Sequence, residues 1–243
     1  MTGVQPQALS QASSEVIDPR ETDLAHRNGY TPFPDTLIIS TERSGLNLIR
    51  HAVEYSAKRR TPGKTHLLTT GPLAFHRTHR VNTDMTSPGC TTVHNPDGSA
   101  RYKKAILLLR DPREILPRAC NFNLNSMGFY CDNIEAFDRF AGEKLLIAYD
   151  DLIVDDSTFE AIFSFLGLSD SFVLSGVPEI RATSVAWYEE NQKKGGGSQT
   201  KGAPSALIFH QKALSPEQLD ELKRFLQERL GCLSNTYLSR WIG

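Results

Sequence analysis

The feature that most constrains the fold is a pair of short apolar runs, each of which passes directly into a helix start. Residues 36–41 (TLIIST) and 105–110 (AILLLR) have the length and composition of strands that are buried on both faces of a sheet. A third run, at 144–149 (KLLIAY), is of the same kind. Because each run is followed by a helical pattern, we expect an α/β fold in which helices flank both faces of a parallel β-sheet.

Capping residues indicate where the helices begin. Ser44-Gly45 opens a helical pattern directly after the first strand. Three further starts combine an acidic or hydroxyl cap with Pro or Glu in the first turn, and they lie at 111–114, 157–160 and 215–218. We expect Pro117 to bend or shorten the helix that begins at 111–114. Two less regular runs, 67–69 and 73–78, are candidate strands.

The composition limits the classes of function. The chain has 243 residues, of which 39% are hydrophobic, so it can bury a core. Residues 1–34, rich in Gln, Ser and Pro, are expected to form a flexible tail before a single domain at 35–243. Lys and Arg (27) balance Asp and Glu (28), which argues against a general nucleic-acid or membrane-surface binder. An anion site on this chain must therefore concentrate its positive charge locally.

Cysteine usage and hydropathy predict the compartment. The four cysteines are widely spaced and include no C-x-x-C pair, so they do not form a disulfide framework. No apolar run approaches the roughly 18 residues that a membrane span needs. The first residues lack the basic start and apolar stretch of a secretory signal. We therefore expect a reduced, cytoplasmic protein.

The first strand–helix junction, residues 40–47, has the features of a phosphate or sulfate cradle. Gly45 allows a sharp turn, and the new helix presents unpaired N–H groups that carry partial positive charge. Ser44 and Asn47 add side-chain donors, and Arg43 adds a permanent cation. A tight turn with a capping serine explains the same residues equally well. The junction is not a Walker A loop, and the nearby Gly63-Lys64-Thr65 has Lys58 where such a loop requires glycine.

The second junction carries three arginines. Arg110 ends a buried strand, and Arg113 and Arg118 follow in the next helix. A guanidinium group at the end of a strand is well suited to bind a phosphate. An ion pair of Arg110 with Asp111 or Glu114 is the alternative.

Two histidines lie between these junctions, in the segment FHRTHR at 75–80. The pKa of an ordinary histidine is close to neutral pH, so His76 or His79 is a candidate general base beside an anion site. A zinc site formed with Cys90 and His94 is the alternative, although the ligand spacing is loose.

In their order along the chain, these segments resemble the PAPS-dependent sulfotransferases, where PAPS is 3′-phosphoadenosine 5′-phosphosulfate. TERSGLNLIR at 41–50 resembles the family's 5′-phosphosulfate loop, usually written P-K-S-G-T-T-W-L or P-R-S-G-x-x-x-L-R. ILLLRDPREIL at 106–116 resembles its 3′-phosphate segment, and RTH at 77–79 is similar to the K-T-H that carries its catalytic histidine. LLIAYDDLIVDDSTFEAIFSFLGL at 145–168 is similar to a later family stretch, so the resemblance spans about residues 36–168.

The resemblance implies a P-loop-like sulfotransferase fold, PAPS as co-substrate and direct in-line transfer of a sulfuryl group, without a metal. It implies that the 5′ side of PAPS is bound by Arg43, Ser44, Gly45, Leu46 and Asn47. Arg110 would hold the 3′-phosphate. Arg118 stands where the family has a serine and would take over that serine's phosphate contact, with an ion pair as the alternative. A Gly- and Lys-rich segment would close over that phosphate, with Lys194, Gly195, Gly196 and Lys201 and, more weakly, Lys212.

By the same resemblance His79 is the general base, with His66 in Lys64-Thr65-His66 as a rival. Arg43 replaces a frequent catalytic lysine and would stabilise charge on the leaving group. The acceptor would be a small molecule with a hydroxyl or amine, such as a secondary metabolite, and residues 80–100 and 120–135 would line its pocket. Nucleic acid and membrane are not expected partners. A non-catalytic nucleotide-binding protein of the same fold remains an alternative, as does a metal-dependent hydrolase.

Overall fold

A parallel β-sheet organises the chain. The computed structural model describes residues 34–62, 67–68, 71–81, 101–194 and 214–243, with only the backbone described at 188–194. In these ranges the strands, in the order β2-β1-β3-β4 across an all-parallel sheet, are β1 (Thr36–Ser40), β2 (His76–Thr78), β3 (Lys104–Leu109) and β4 (Glu143–Ala148). The α/β class and the parallel sheet predicted from the sequence are therefore confirmed.

Eight α-helices accompany these strands within the described ranges. They are α1 (Leu46–Ala57), α2 (Pro112–Ala119), α3 (Gly128–Arg139), α4 (Tyr149–Val154), α5 (Ser157–Phe165), α6 (Val177–Lys194), α7 (Pro216–Leu230) and α8 (Cys232–Ile242). Short 3-10 helices lie at Leu124–Met127, Ser169–Ser171 and Leu174–Gly176. None of these helices is both long enough and apolar enough to cross a membrane.

Helices cover both faces of the sheet. Successive residues of a strand point to opposite faces, so Leu37 and Ile38 in β1 enter different cores. Leu37 belongs to a cluster with residues of α3, α7 and α8, whereas Ile38 belongs to one with residues of α1, α5 and α6. All five residues of β1 are buried, as expected of a strand that reads as a continuous apolar run.

Most of the predicted helix starts are confirmed. The carboxylate of Asp111 accepts a 2.8 Å hydrogen bond from the backbone N–H of Arg113, which caps α2. Pro117 lies inside α2, which ends at Ala119 after eight residues. A complete capping box begins α7, where the Ser215 and Gln218 side chains each bond to the other's backbone N–H.

The predicted capping box at 157–160 is wrong. Ser157 is already the first residue of α5, and Asp156 occupies the cap position without a side-chain bond. The Ser157 hydroxyl lies 2.7 and 2.8 Å from the two carboxylate oxygens of Asp155. The Asp155 carboxylate also accepts a 2.9 Å hydrogen bond from the backbone N–H of Ser157, so Asp155 rather than Ser157 bonds to the start of the helix.

The less regular runs form little strand. Leu67 and Leu68 are not in a strand, and their backbone N–H groups donate to the buried carboxylate of Glu54. In the run 73–78 only His76–Thr78 is a strand, and Leu73 forms an isolated bridge with Arg60. Thr69 lies outside the described residues. The buried carboxylate satisfies backbone donors that a neighbouring strand would otherwise satisfy.

Candidate anion-binding site

The carboxyl ends of the four strands bring distant parts of the chain to one edge of the sheet. Because all strands run parallel, the residues that follow them share this edge. They are the loop 41–45 after β1, His79 after β2, Arg110 after β3 and Tyr149 after β4. The two junctions and one of the histidines that the sequence singled out therefore lie at one edge.

The loop 41–45 has an unusual backbone that depends on glycine. Arg43 has a φ of 70° and Gly45 a φ of 95°, both in the left-handed region. A Cβ atom on Gly45 would also overlap the Cδ2 atom of Tyr149. Gly45 is thus required both for its backbone angle and for the close approach of an aromatic ring.

Two buried hydroxyl groups of this loop are unsatisfied. Thr41 is 8% exposed and Ser44 is 1% exposed, yet neither side-chain oxygen has a hydrogen-bond partner among the described residues. A buried hydroxyl without a partner costs free energy, so such groups indicate a missing ligand or water. They lie at the start of α1, whose cap residue Gly45 provides no side-chain bond to the free N–H groups.

The other predicted members of the loop contribute differently. Leu46 is buried at the start of α1, so only its backbone N–H faces the helix end. The side-chain oxygen of Asn47 accepts a 3.0 Å hydrogen bond from Arg50, so this oxygen is occupied within the helix. The amide NH2 of Asn47 is a separate donor, so the donors of the loop are backbone N–H groups, the hydroxyls of Thr41 and Ser44 and this amide.

Arg110 makes the ion pair that was its alternative role. It is 1% exposed, its Nε donates to Glu114 Oε2 at 2.6 Å, and its Nη2 pairs with the same oxygen. Its Nη1 donates to the backbone carbonyl of Arg43 at 2.8 Å, and its guanidinium lies 4.2 Å from the centre of the Tyr149 ring. The nearby Arg113 pairs with Asp111 instead. Arg110 therefore joins the two junctions through direct contacts.

Arg118 brings a further positive charge to the same place. Burial, together with the positive charges of Arg110 and Arg43, lowers the pKa of Arg118, whereas Glu114 and Tyr149 act in the opposite direction. The positive charges of Arg43 and Arg110 thus both act on Arg118, while Glu114 pairs with Arg110. An anion bound here would relieve the mutual repulsion of these arginines.

His79 is held by partners on both ring nitrogens. Its Nδ1 lies 3.2 Å from the backbone carbonyl of Ser40, and its Nε2 lies 2.9 Å from Nη1 of Arg77. A guanidinium can only donate, so Nε2 is the acceptor and Nδ1 carries the proton that bonds to Ser40. Burial, followed by the charge of Arg77, lowers the pKa of His79 to about 4. The ring is therefore neutral at neutral pH, and its basic nitrogen contacts Arg77.

His76 has separate surroundings. Its Nδ1 lies 3.1 Å from the hydroxyl of Tyr102, and burial lowers its pKa to about 3. Because His76 and His79 bond to different partners, their nitrogens do not share a ligand position. No group of three or more His, Cys, Asp or Glu residues in the described part of the chain is arranged to hold a metal ion. The other two residues of the zinc alternative, Cys90 and His94, lie outside the described residues.

Several predicted site residues cannot be located. His66, Gly195, Gly196, Lys201 and Lys212 lie outside the described residues. Lys194 is the last residue of α6, and its side chain is not described.

Three residues of the site were not singled out from the sequence. Thr41 and Arg77 are polar residues beside the predicted motifs, and their position next to a strand end was the available signal. Tyr149 was predicted only as the end of a strand, and no local pattern indicates its contact with Gly45.

A shallow depression that includes Tyr102 and Gly142 lies at the opposite edge of the sheet, where β3 and β4 begin.

Comparison of the chain with models of protein families gives no match, and comparison with curated proteins gives none either. A function for this site is therefore argued from the residues described above.

Proposed function

We propose that this protein is a PAPS-dependent sulfotransferase, which transfers a sulfuryl group to a hydroxyl or amine of a small-molecule acceptor. The observation that carries the proposal is the convergence of the loop 41–45, Arg110 and His79 at one edge of the sheet. The order of these segments along the chain resembles the sulfotransferases. We also propose that this chain has the P-loop-like fold of that family.

The donor needs two anion sites, one for the phosphosulfate and one for the 3′-phosphate. The first N–H groups of α1 and the unsatisfied hydroxyls of Thr41 and Ser44 suit the phosphosulfate. Arg110 is committed to Glu114 and to the carbonyl of Arg43, so we assign to it the role of holding the loop in place. Arg118 is then the cation that contacts the 3′-phosphate directly.

In the proposed reaction the acceptor oxygen or nitrogen attacks the sulfur as the bond from sulfur to the bridging phosphate oxygen breaks. His79 takes the acceptor's proton on Nε2, which requires Arg77 to leave that nitrogen. A pKa of about 4 keeps His79 unprotonated and able to accept this proton at neutral pH. Arg43 stabilises the negative charge that grows on the leaving phosphate.

The experiment that tests the proposal combines binding and turnover. We expect isothermal titration calorimetry to show that 3′-phosphoadenosine 5′-phosphate (PAP), which remains when PAPS has lost its sulfuryl group, binds both the parent and a His79→Asn variant. With radiolabelled PAPS and a panel of phenols, sterols, sugars and amines, we expect the variant to lose roughly 10²–10⁴-fold in transfer rate. The control is His51→Asn, because His51 is a buried histidine that contacts Thr183 on α6. We expect this variant to retain activity. A parent protein that does not bind PAP would refute the proposal.

One observation favours a second candidate, a nucleotide-binding protein of the same fold without catalysis. The Nε2 atom of His79, which a general base needs, is occupied by Arg77. If this contact persists with the donor bound, the parent protein binds PAP and shows no transfer to any acceptor. A third candidate, a metal-dependent hydrolase, would lose its activity on chelation, whereas neither of the first two would respond.

A further inference from the structure

The first turn of α4 is held from outside by the end of α8. Arg240 donates two hydrogen bonds of 2.8 Å, one to each carboxylate oxygen of Asp151. The buried Trp241 donates its indole N–H to Asp150 at 2.7 Å. The guanidinium of Arg240 also lies 5.3 Å from the centre of the Trp241 ring, so the two residues support each other. We call these four residues the α4–α8 clamp.

Apolar packing also holds this helix, since Tyr149 and Leu152 are buried in the core and Arg181 donates a 3.2 Å hydrogen bond to the Leu152 carbonyl. α4 has only six residues, which is too short to be stable without tertiary contacts. Its cap residue, Ala148, provides no side-chain bond, and the carboxylates of Asp150 and Asp151 bond to α8. The clamp adds polar contacts to this packing, because it attaches the two acidic side chains of the turn to α8.

Tyr149, the first residue of α4, forms one wall of the anion-binding site. Its ring lies against Gly45, where a Cβ atom would overlap it, and under the guanidinium of Arg110 at 4.2 Å. The ring is buried, and this burial raises the pKa of Tyr149 to about 12, so it acts as a neutral surface. Both arginine-bearing junctions therefore contact one ring, and the next two residues in the chain are the acidic residues of the clamp.

We propose that Arg240 and Trp241 are positioning residues for the anion-binding site, acting through the first turn of α4 and the ring of Tyr149. This inference rests on the proposed function only in its choice of PAP as ligand. Trp241 has the larger part, because its hydrogen bond to the carboxylate of Asp150 is part-buried. The pair of Arg240 and Asp151 is 44% and 45% exposed, so solvent weakens it.

The test compares ligand affinity with stability, since a merely structural role would lower stability and leave affinity unchanged. Trp241→Phe keeps the ring and removes the N–H donor, and Asp150→Asn removes the charge of the same bond from the other side. The control is Arg229→Gln, because Arg229 and Asp132 join α7 to α3 by a pair of similar length (2.8 Å) and exposure (46% and 39%).

We expect Trp241→Phe and Asp150→Asn each to weaken PAP binding about tenfold in isothermal titration. The double variant should be no weaker than Trp241→Phe alone, because Asp150→Asn acts on the bond that Trp241→Phe already removes. Arg240→Gln should weaken binding about threefold, and Arg240→Lys should recover part of that loss. Arg229→Gln should bind PAP like the parent. Urea unfolding of each variant measures stability separately.

Parent-like affinity in Trp241→Phe and Asp150→Asn overturns the inference, as does an equal loss in Arg229→Gln. Pyrophosphate, titrated in parallel, separates this result from a failure of the proposed function. A parent that binds pyrophosphate but not PAP refutes PAPS as the donor, and the clamp is then judged by the same comparison with pyrophosphate. A parent that binds neither ligand overturns both, because there is then no anion site to position.

Discussion

The Nη1 atom of Arg110 donates a hydrogen bond of 2.8 Å to the backbone carbonyl of Arg43, across 67 positions of sequence. Arg43 has a positive φ, so this bond supports a backbone conformation that a non-glycine residue rarely adopts. The carbonyl of Arg110 itself accepts a 2.9 Å bond from the hydroxyl of Tyr130. A chain of bonds thus connects α3, the end of β3 and the loop after β1.

The ion pair of Arg110 with Glu114 predicts how the core responds to substitution. Arg110→Met leaves the carboxylate of Glu114 without its main partner in a site where both side chains are largely buried. We expect a loss of about 3–5 kcal/mol in the free energy of unfolding, measured with urea. The double variant Arg110→Met, Glu114→Met should recover most of it. A double variant as unstable as the single one would contradict this account.

We expect removal of the unsatisfied hydroxyls to increase the stability of the protein and to weaken its binding of PAP. Ser44→Ala and Thr41→Val remove buried groups that have no partner among the described residues. We expect each variant to gain up to about 1 kcal/mol in the free energy of unfolding and to bind PAP more weakly. Ser234→Ala is the control, since the Ser234 hydroxyl donates to the Gly231 carbonyl at 2.7 Å and its loss should destabilise. A destabilised Ser44→Ala protein would show that the hydroxyl is satisfied in solution.

We expect alanine to cost different amounts of unfolding free energy at two glycines with similar backbone angles. Gly45 has a φ of 95° and Gly71 a φ of 102°, but an added Cβ meets Tyr149 only at Gly45; at Gly71 no described atom lies within 4 Å. Gly71→Ala should therefore cost about 1–2 kcal/mol for its backbone angle alone. Gly45→Ala should cost more in urea unfolding and should abolish PAP binding. Equal costs would mean that the contact with Tyr149 yields easily.

The lowered pKa values of two buried histidines, His51 and His76, and of the half-buried His79 predict how the stability of the protein changes in acid. Burial lowers the pKa values of His51 and His79 to about 4 and that of His76 to about 3, from 6.5. Between pH 6.5 and about 4 the unfolded chain binds protons that the folded protein excludes, so the stability present above pH 6.5 is lost as the pH falls. Each histidine adds a slope of up to about 1.4 kcal/mol per pH unit.

His76→Phe tests this account. We expect the slope of unfolding free energy against pH to decrease by about one proton, because the phenylalanine does not titrate. Urea unfolding of parent and variant at several pH values from 4.5 to 7 measures the difference, since all other titrating groups are shared. An unchanged slope would mean that His76 is protonated in the folded protein.

The contact with Arg77 predicts how the pKa of His79 changes when Arg77 is replaced. Arg77→Met removes the second-largest cause of the depressed pKa and releases Nε2. We expect the pKa of His79, followed by NMR of labelled histidine, to rise from about 4 but to stay below 6.5, because burial remains. The acid limb of sulfuryl transfer should move to higher pH by the same amount. A pKa that does not move would show that the two side chains are apart in solution.

Local sequence predicts most of the strands and helices and their order along the chain. β1 and β3 are continuous apolar runs, and the caps at Asp111 and Ser215 are local bonds within a few residues. Such preferences act over one or two turns of chain, so they can be read without knowledge of the fold. Alternating strands and helices then imply a parallel sheet, and a parallel sheet places the strand ends at one edge.

The contacts that each side chain of the site makes arise from the tertiary fold and cannot be predicted from local sequence. The sequence left three possible partners for Arg110, a phosphate, Asp111 and Glu114, and in the fold the Glu114 carboxylate lies 2.6 Å from Nε of Arg110. The contact of Tyr149 with Gly45 and the bond of Trp241 to Asp150 join residues about a hundred positions apart. Their energies depend on strand register and helix packing, which arise only when the whole sheet is assembled, so no local pattern encodes them.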